Sequence, residues 1–234
     1  MELSEIVKRV RAKSPDGKVL LSFSRGKDAW AAWLAIRDKF DVCPFYYYGI
    51  EGLEFVDEYL EYCERVIGKR IVRLPSPAAH SRLSPKGLVF QPPERVETLC
   101  ACNLETFDWT EVQRTAARCF GIDEGTYTAL GVRAADSARR ALAFKSHGPV
   151  TENLRKFYPV WDWNKDRLVS ELTRNNIVLP VDYKIWGRTF DGIYLLFLLG
   201  LKKHFPRDYQ RVLEYYPLAD LELFRYGKET GNFV

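Results

Sequence analysis

The chain has 234 residues, 47% hydrophobic and 28% charged, with 35 basic and 31 acidic side chains for a formal net charge of +4. That length suits one large domain or a domain with an appendage, and the composition excludes a disordered tail. The charge is too mild to argue for nucleic acid by itself, and the longest apolar run, Ile193 to Leu201, is too short to span a bilayer.

The first residues, MELSEIVKRVRAK, carry no apolar signal core, and the five cysteines (Cys43, Cys63, Cys100, Cys102, Cys119) fit reduced thiols better than a disulfide framework. A cytoplasmic protein is therefore expected. Leu3, Ile6, Val7 and Val10 have helical spacing, and SPDG follows as a turn. KVLLSF, residues 18–23, reads as a strand buried on both faces, and residues 28–40 read as a helix with Asp28 near its positive end. A second strand (42–50), a second helix (54–68) and a third strand (69–75) follow. Alternation of this kind predicts a parallel sheet wrapped by helices.

Residues 75–93, rich in proline and serine, read as a long loop. Residues 103–122 read as a helix and Tyr127 to Leu130 as a further strand. From Tyr158 the pattern is mostly helical, so the expected division is a nucleotide-binding α/β domain over 1–157 and a helical C-terminal segment over 158–234. No internal repeat or heptad run is present.

The segment between the first strand and first helix, SFSRGKDA, stands where open parallel sheets hold ligands, beside unpaired helix amides. Ser22 and Ser24 offer hydroxyls, Gly26 allows close backbone approach, and Arg25 and Lys27 offer charge. The dinucleotide fingerprint needs three glycines and this loop has one. The Walker A loop fails at Leu21, where its first glycine belongs, and at Asp28, where Ser or Thr belongs.

The loop resembles the PP-loop of the adenine nucleotide alpha-hydrolase superfamily, in the branch written SFSGGKDS that holds phosphoadenosine phosphosulfate (PAPS) reductases and the small subunit of sulfate adenylyltransferase. Ser22, Phe23, Ser24, Gly26, Lys27 and Asp28 match; Arg25 replaces a glycine and Ala29 a serine. Two further elements carry the likeness. In IEGLEFVDE, Gly52, Leu53, Glu54 and Phe55 agree, while Ile50 stands where an aspartate is expected. In LGVRAADSARR, Gly131, Arg133, Asp136, Ser137 and Arg140 follow the branch's arginine element. A later stretch with Pro159, Val160, Trp163, Asn175, Asn176, Ile177 and Pro180 is also similar and is assigned to packing, with Asp162 or Asn164 capping the next helix.

The resemblance implies binding of ATP or a close adenine nucleotide, with cleavage between the α and β phosphates and transfer of adenylate to an acceptor. It assigns catalysis to Lys27, Asp28, Arg133 and Arg140. Nucleotide contacts fall to Ser22, Phe23, Ser24, Arg25, Gly26, Lys27, Gly52, Gly131, Arg133, Asp136 and Ser137, with Asp28 as the candidate magnesium ligand. The acceptor, whether sulfate, a carboxylate or a nucleobase of a nucleic acid, stays open, as does a protein partner; no membrane is implicated. Two alternatives stand beside this one. The substitutions at Arg25, Ala29 and Ile50 fit a non-catalytic nucleotide-binding module. A sulfonucleotide reductase would need a thiol, and no cysteine follows Cys119, so Cys100 or Cys102 would have to serve. A metal site built on the Cys100–Cys102 pair has too few ligands in the sequence, and buried structural thiols are expected.

Overall fold

The computed structural model describes residues 1–85 and 87–231. The chain opens with α1 (Leu3–Arg11), β1 (Lys18–Ser22), α2 (Lys27–Ile36), β2 (Asp41–Tyr48), α3 (Glu54–Ile67) and β3 (Val72–Pro75). Three helices follow: α4 (Pro77–Ser81), α5 (Pro93–Cys102) and α6 (Trp109–Cys119). Then come β4 (Thr128–Leu130), α7 (Ala138–His147), β5 (Val150–Thr151), β6 (Lys156–Phe157) and α8 (Lys165–Arg174). The last elements are α9 (Asp182–Trp186), α10 (Leu195–His204), α11 (Pro206–Tyr215) and α12 (Asp220–Thr230).

The six strands form one sheet in the order β3-β2-β1-β4-β6-β5. β1 is central and parallel to both β2 and β4, with Leu20 opposite Cys43 on one side and Thr128 on the other. β6 continues the parallel set beside β4, and only β5 is antiparallel to its neighbour. The fold is thus the expected α/β one, a mostly parallel sheet flanked by helices with a helical C-terminal region.

Two compact units divide the described residues. The first comprises residues 1–47, 64–74 and 110–179; the second comprises 48–63, 75–109 and 180–234. Residues 158–179 therefore belong with the sheet, and the helices from α9 onward belong to the second unit. No described helix is long and apolar enough to cross a membrane.

In the first unit Val19, Leu20 and Leu21 are 0–1% exposed, as a strand covered on both faces requires. α2 buries Ala29, Trp30, Ala31, Ala32, Trp33 and Ile36, so it is apolar nearly all round and has little amphipathic contrast. It packs against α8, whose N-terminus is capped by Asn164, one of the two expected caps, accepting from the Arg167 N–H at 2.8 Å. Burial of each large apolar side chain contributes about 1.5–3 kcal/mol.

Two expected elements differ. The 75–93 loop contains α4, started by Pro77 where a missing N–H costs nothing. The helix expected over 103–122 begins only at Trp109. Asn103 takes a left-handed conformation (φ 43°) and ends α5, and the Glu105 carbonyl is held by the His80 ring at 2.8 Å, outside any helical ladder. β5 and β6, two residues each, are too short to leave a period in the sequence.

Candidate nucleotide site

β1 ends at Ser22, and the chain reaches α2 through Phe23, Ser24, Arg25 and Gly26. Phe23 anchors the turn. Its N–H donates to the Phe45 carbonyl at 2.8 Å, and its ring meets Trp30 edge-on at 5.1 Å. Ser22 is half-buried and Ser24 exposed. Gly26 is the N-cap of α2, and no side chain caps that end. The first-turn amides and their partial positive charge thus meet no capping side chain at the carboxyl edge of the central strand.

Arg25 has φ 65°, the left-handed conformation that favours glycine, at the position where the PP-loop pattern has its first glycine. Its side chain is fully buried, with the guanidinium 5.6 Å from the centroid of the Tyr46 ring. Arginine therefore keeps the glycine-type backbone and turns its charge inward onto an aromatic face. Tyr46 carried no signal in the sequence beyond its place in an aromatic strand.

The arginine element joins the loop through a continuous line of ion pairs. Lys27 Nζ lies 2.9 Å from Asp28 Oδ2, and Arg133 Nε donates to Asp28 Oδ1 at 2.8 Å. The Arg133 guanidinium also donates to Asp136 Oδ1 at 2.7 Å, and Arg140 donates to Asp136 Oδ2 at 2.7 Å. Three cations thus alternate with two carboxylates along the line. Arg133 is 5% exposed and holds carboxylates on both sides, which makes it a clasp between the α2 and β4 ends. The side chain of Arg140 is 49% exposed and reaches solvent. Ser137 caps α7, its hydroxyl accepting from the Arg140 N–H at 3.2 Å.

Gly131 serves by its lack of a side chain. A Cβ there would lie 2.2 Å from the Asp28 carbonyl oxygen and 2.8 Å from the Ala29 nitrogen. The first turn of α2 thus packs directly on the backbone leaving β4, and the small buried Ala29 suits that approach.

The structure brings Ser22, Phe23, Ser24, Arg25, Gly26, Lys27, Asp28, Gly131, Arg133, Asp136, Ser137 and Arg140 into the first unit. Gly52 belongs to the second. There it has φ 76° and packs beside Arg211, whose Nε donates to the Glu51 carbonyl at 2.9 Å. Ile50, in the place of the expected aspartate, is buried. The α3 amides that follow are already taken: Glu54 and Phe55 N–H donate to the Asp208 carboxylate at 2.6 and 3.3 Å.

Asp28 does not fit a magnesium ligand as it stands. Both its oxygens are held by cations, and magnesium requires a near-octahedral oxygen shell. Among the described residues no group of three or more His, Cys, Asp or Glu side chains is arranged to hold a metal ion. Cys100 and Cys102 are exposed on α5.

No protein-family model matches the sequence, and no curated protein is similar to it at a significant level. Among solved structures, the chain is similar to the U34-tRNA thiolase NcsA of Methanococcus maripaludis, described with its 4Fe–4S cluster. The identity is 12% and the TM-score 0.43, over 93% of this chain and 79% of that one. It is also similar to the PAPS reductase of Candida auris in a phosphate complex, with 13% identity and TM-score 0.44, over 82% of this chain and 88% of that one. Sheet and loop place the chain in the class of α/β proteins with a glycine-started turn between the central strand and its helix.

Proposed function

We propose that this protein binds ATP or a closely related adenine nucleotide at the β1–α2 loop and cleaves it between the α and β phosphates. An acceptor oxygen attacks the α phosphorus, the bond from that phosphorus to the bridging oxygen breaks, and pyrophosphate leaves with the electron pair. The observation that carries this reading is the uncapped, glycine-started end of α2 at the carboxyl edge of the central strand, bordered by the Lys27-to-Arg140 line of charges.

In this reading Ser22, Ser24 and the backbone at Gly26 cradle the departing phosphates, and Lys27 supplies their counter-charge. Arg140 meets charge that develops on the transferred group. Arg133 acts as a positioning residue, because its guanidinium is spent on Asp28 and Asp136. A reading as a binding module without turnover draws on Arg25, whose charge is buried against Tyr46 and turned away from solvent.

Pyrophosphate release from ATP, measured with and without candidate acceptors, separates the two. Release that depends on an acceptor supports the enzyme; tight ATP binding with no release for any acceptor supports the module. Lys27→Ala is expected to abolish ATP binding by calorimetry, and unchanged affinity would place the nucleotide elsewhere or nowhere.

A further inference from the structure

Beside the ion-pair line, β4, α7 and the β5–β6 turn line an open cleft of about 540 Å³. That is within the usual size of a small-molecule site, about 300–1,000 Å³. Its walls are mostly apolar: Leu130 and Val132 from the β4 end, Ala143 and Phe144 from α7, and Leu154 from the turn. Leu154 is 51% exposed, an apolar side chain left in water at the edge of an apolar hollow.

The polar side chains lining it are Arg140, His147, Thr151, Asn153 and Tyr158. Arg140, His147 and Tyr158 are the titratable side chains lining it, and no carboxylate does so among the described residues. Glu152, on the same turn as Leu154, is bound to Arg9 at 2.7 Å, and Asp136 holds Arg140 from the side of the ion-pair line. Phe144 and Tyr158 fix one wall, their rings edge-on at 5.1 Å. A guanidinium fork matches a planar carboxylate.

We propose that this cleft binds a small carboxylate with an apolar, ring-sized body, the carboxylate on Arg140 and the body against Phe144, Leu130 and Leu154. Through Arg140 the bound anion adjoins the line of charges that ends at Lys27. Neither the two-residue strands nor α7 announces the cleft in the sequence, because its lining comes from three elements with no shared period.

The test is a fluorescence titration of the full chain with 2-naphthoate, without nucleotide, so that the outcome does not depend on how the β1–α2 loop is used. Saturable one-to-one binding is expected, at least about tenfold tighter than that of 2-naphthylmethanol, the effect of one charge-assisted hydrogen bond. Arg140→Leu should erase that preference for the acid. Ala143→Trp, which fills the cleft, and Leu154→Asp, which adds a repelling charge at an exposed position, should each remove binding with the far-UV circular dichroism unchanged. If Ala143→Trp fails to fold, Leu154→Asp decides. Equal binding of acid and alcohol, no saturable binding, naphthoate displaced by inorganic phosphate, or full binding by Leu154→Asp overturns the proposal.

Discussion

At Gly131 an added methyl group would lie 2.2 Å from the Asp28 carbonyl oxygen, a backbone atom that cannot swing away. Gly131→Ala should therefore destabilise the chain by about 1–3 kcal/mol, the usual cost of overpacking. Denaturant unfolding measures it, and an unchanged midpoint would mean that α2 and the β4 end do not pack this closely. Arg25 shows a different single-residue effect. Its left-handed backbone marks the glycine position of the loop, and its buried guanidinium lies over Tyr46. The loop's glycine pattern was legible at Gly26 and hidden at Arg25, because a conformation is retained there by a residue that does not advertise it.

The helix termini carry the argument at the next scale. α2 starts on a glycine without a side-chain cap, whereas α3 is closed by the Asp208 carboxylate. Asp208 is 3% exposed, and burial pushes its carboxyl up from the ordinary aspartate value, outweighing the Glu54 and Phe55 amides that pull it down. A carboxyl raised by folding holds its proton more tightly in the folded chain than in the unfolded one. Its contribution to stability is full below the ordinary value and lost as pH rises through the raised one. The difference in unfolding free energy between the wild type and Asp208→Asn should therefore fall as pH rises through that window; a pH-independent difference would contradict it. The acidic start of α3 was readable in IEGLEFVDE, but Asp208 stands 154 residues from Glu54, and no local pattern connects them.

For the molecule as a whole, burial sorts the five thiols. Cys43 and Cys63 are buried, while Cys100, Cys102 and Cys119 are exposed. Burial raises the Cys43 thiol as well, against the pull of Lys69, so it is a poor nucleophile for two reasons. With a thiol-reactive disulfide reagent, the native chain should react at the three exposed cysteines and release the other two only on unfolding. Rapid reaction of all five would mean that the packing over Cys43 of β2 or over Cys63 of α3 opens in the native chain. The expectation that Cys100 and Cys102 are buried structural thiols does not hold, since both are exposed and the buried thiols are Cys43 and Cys63.

The sequence by itself determined the alternation of strands and helices, the central buried strand and the order of the loop and arginine elements. Each of these follows from local composition or from period. Tertiary structure alone decided the rest: that Arg133 clasps two carboxylates, that Arg25 turns inward, that Gly131 is needed for contact with α2, and that a mostly apolar cleft adjoins Arg140. These depend on which distant groups meet and how much water is excluded between them, and neither quantity is a property of any short stretch of chain.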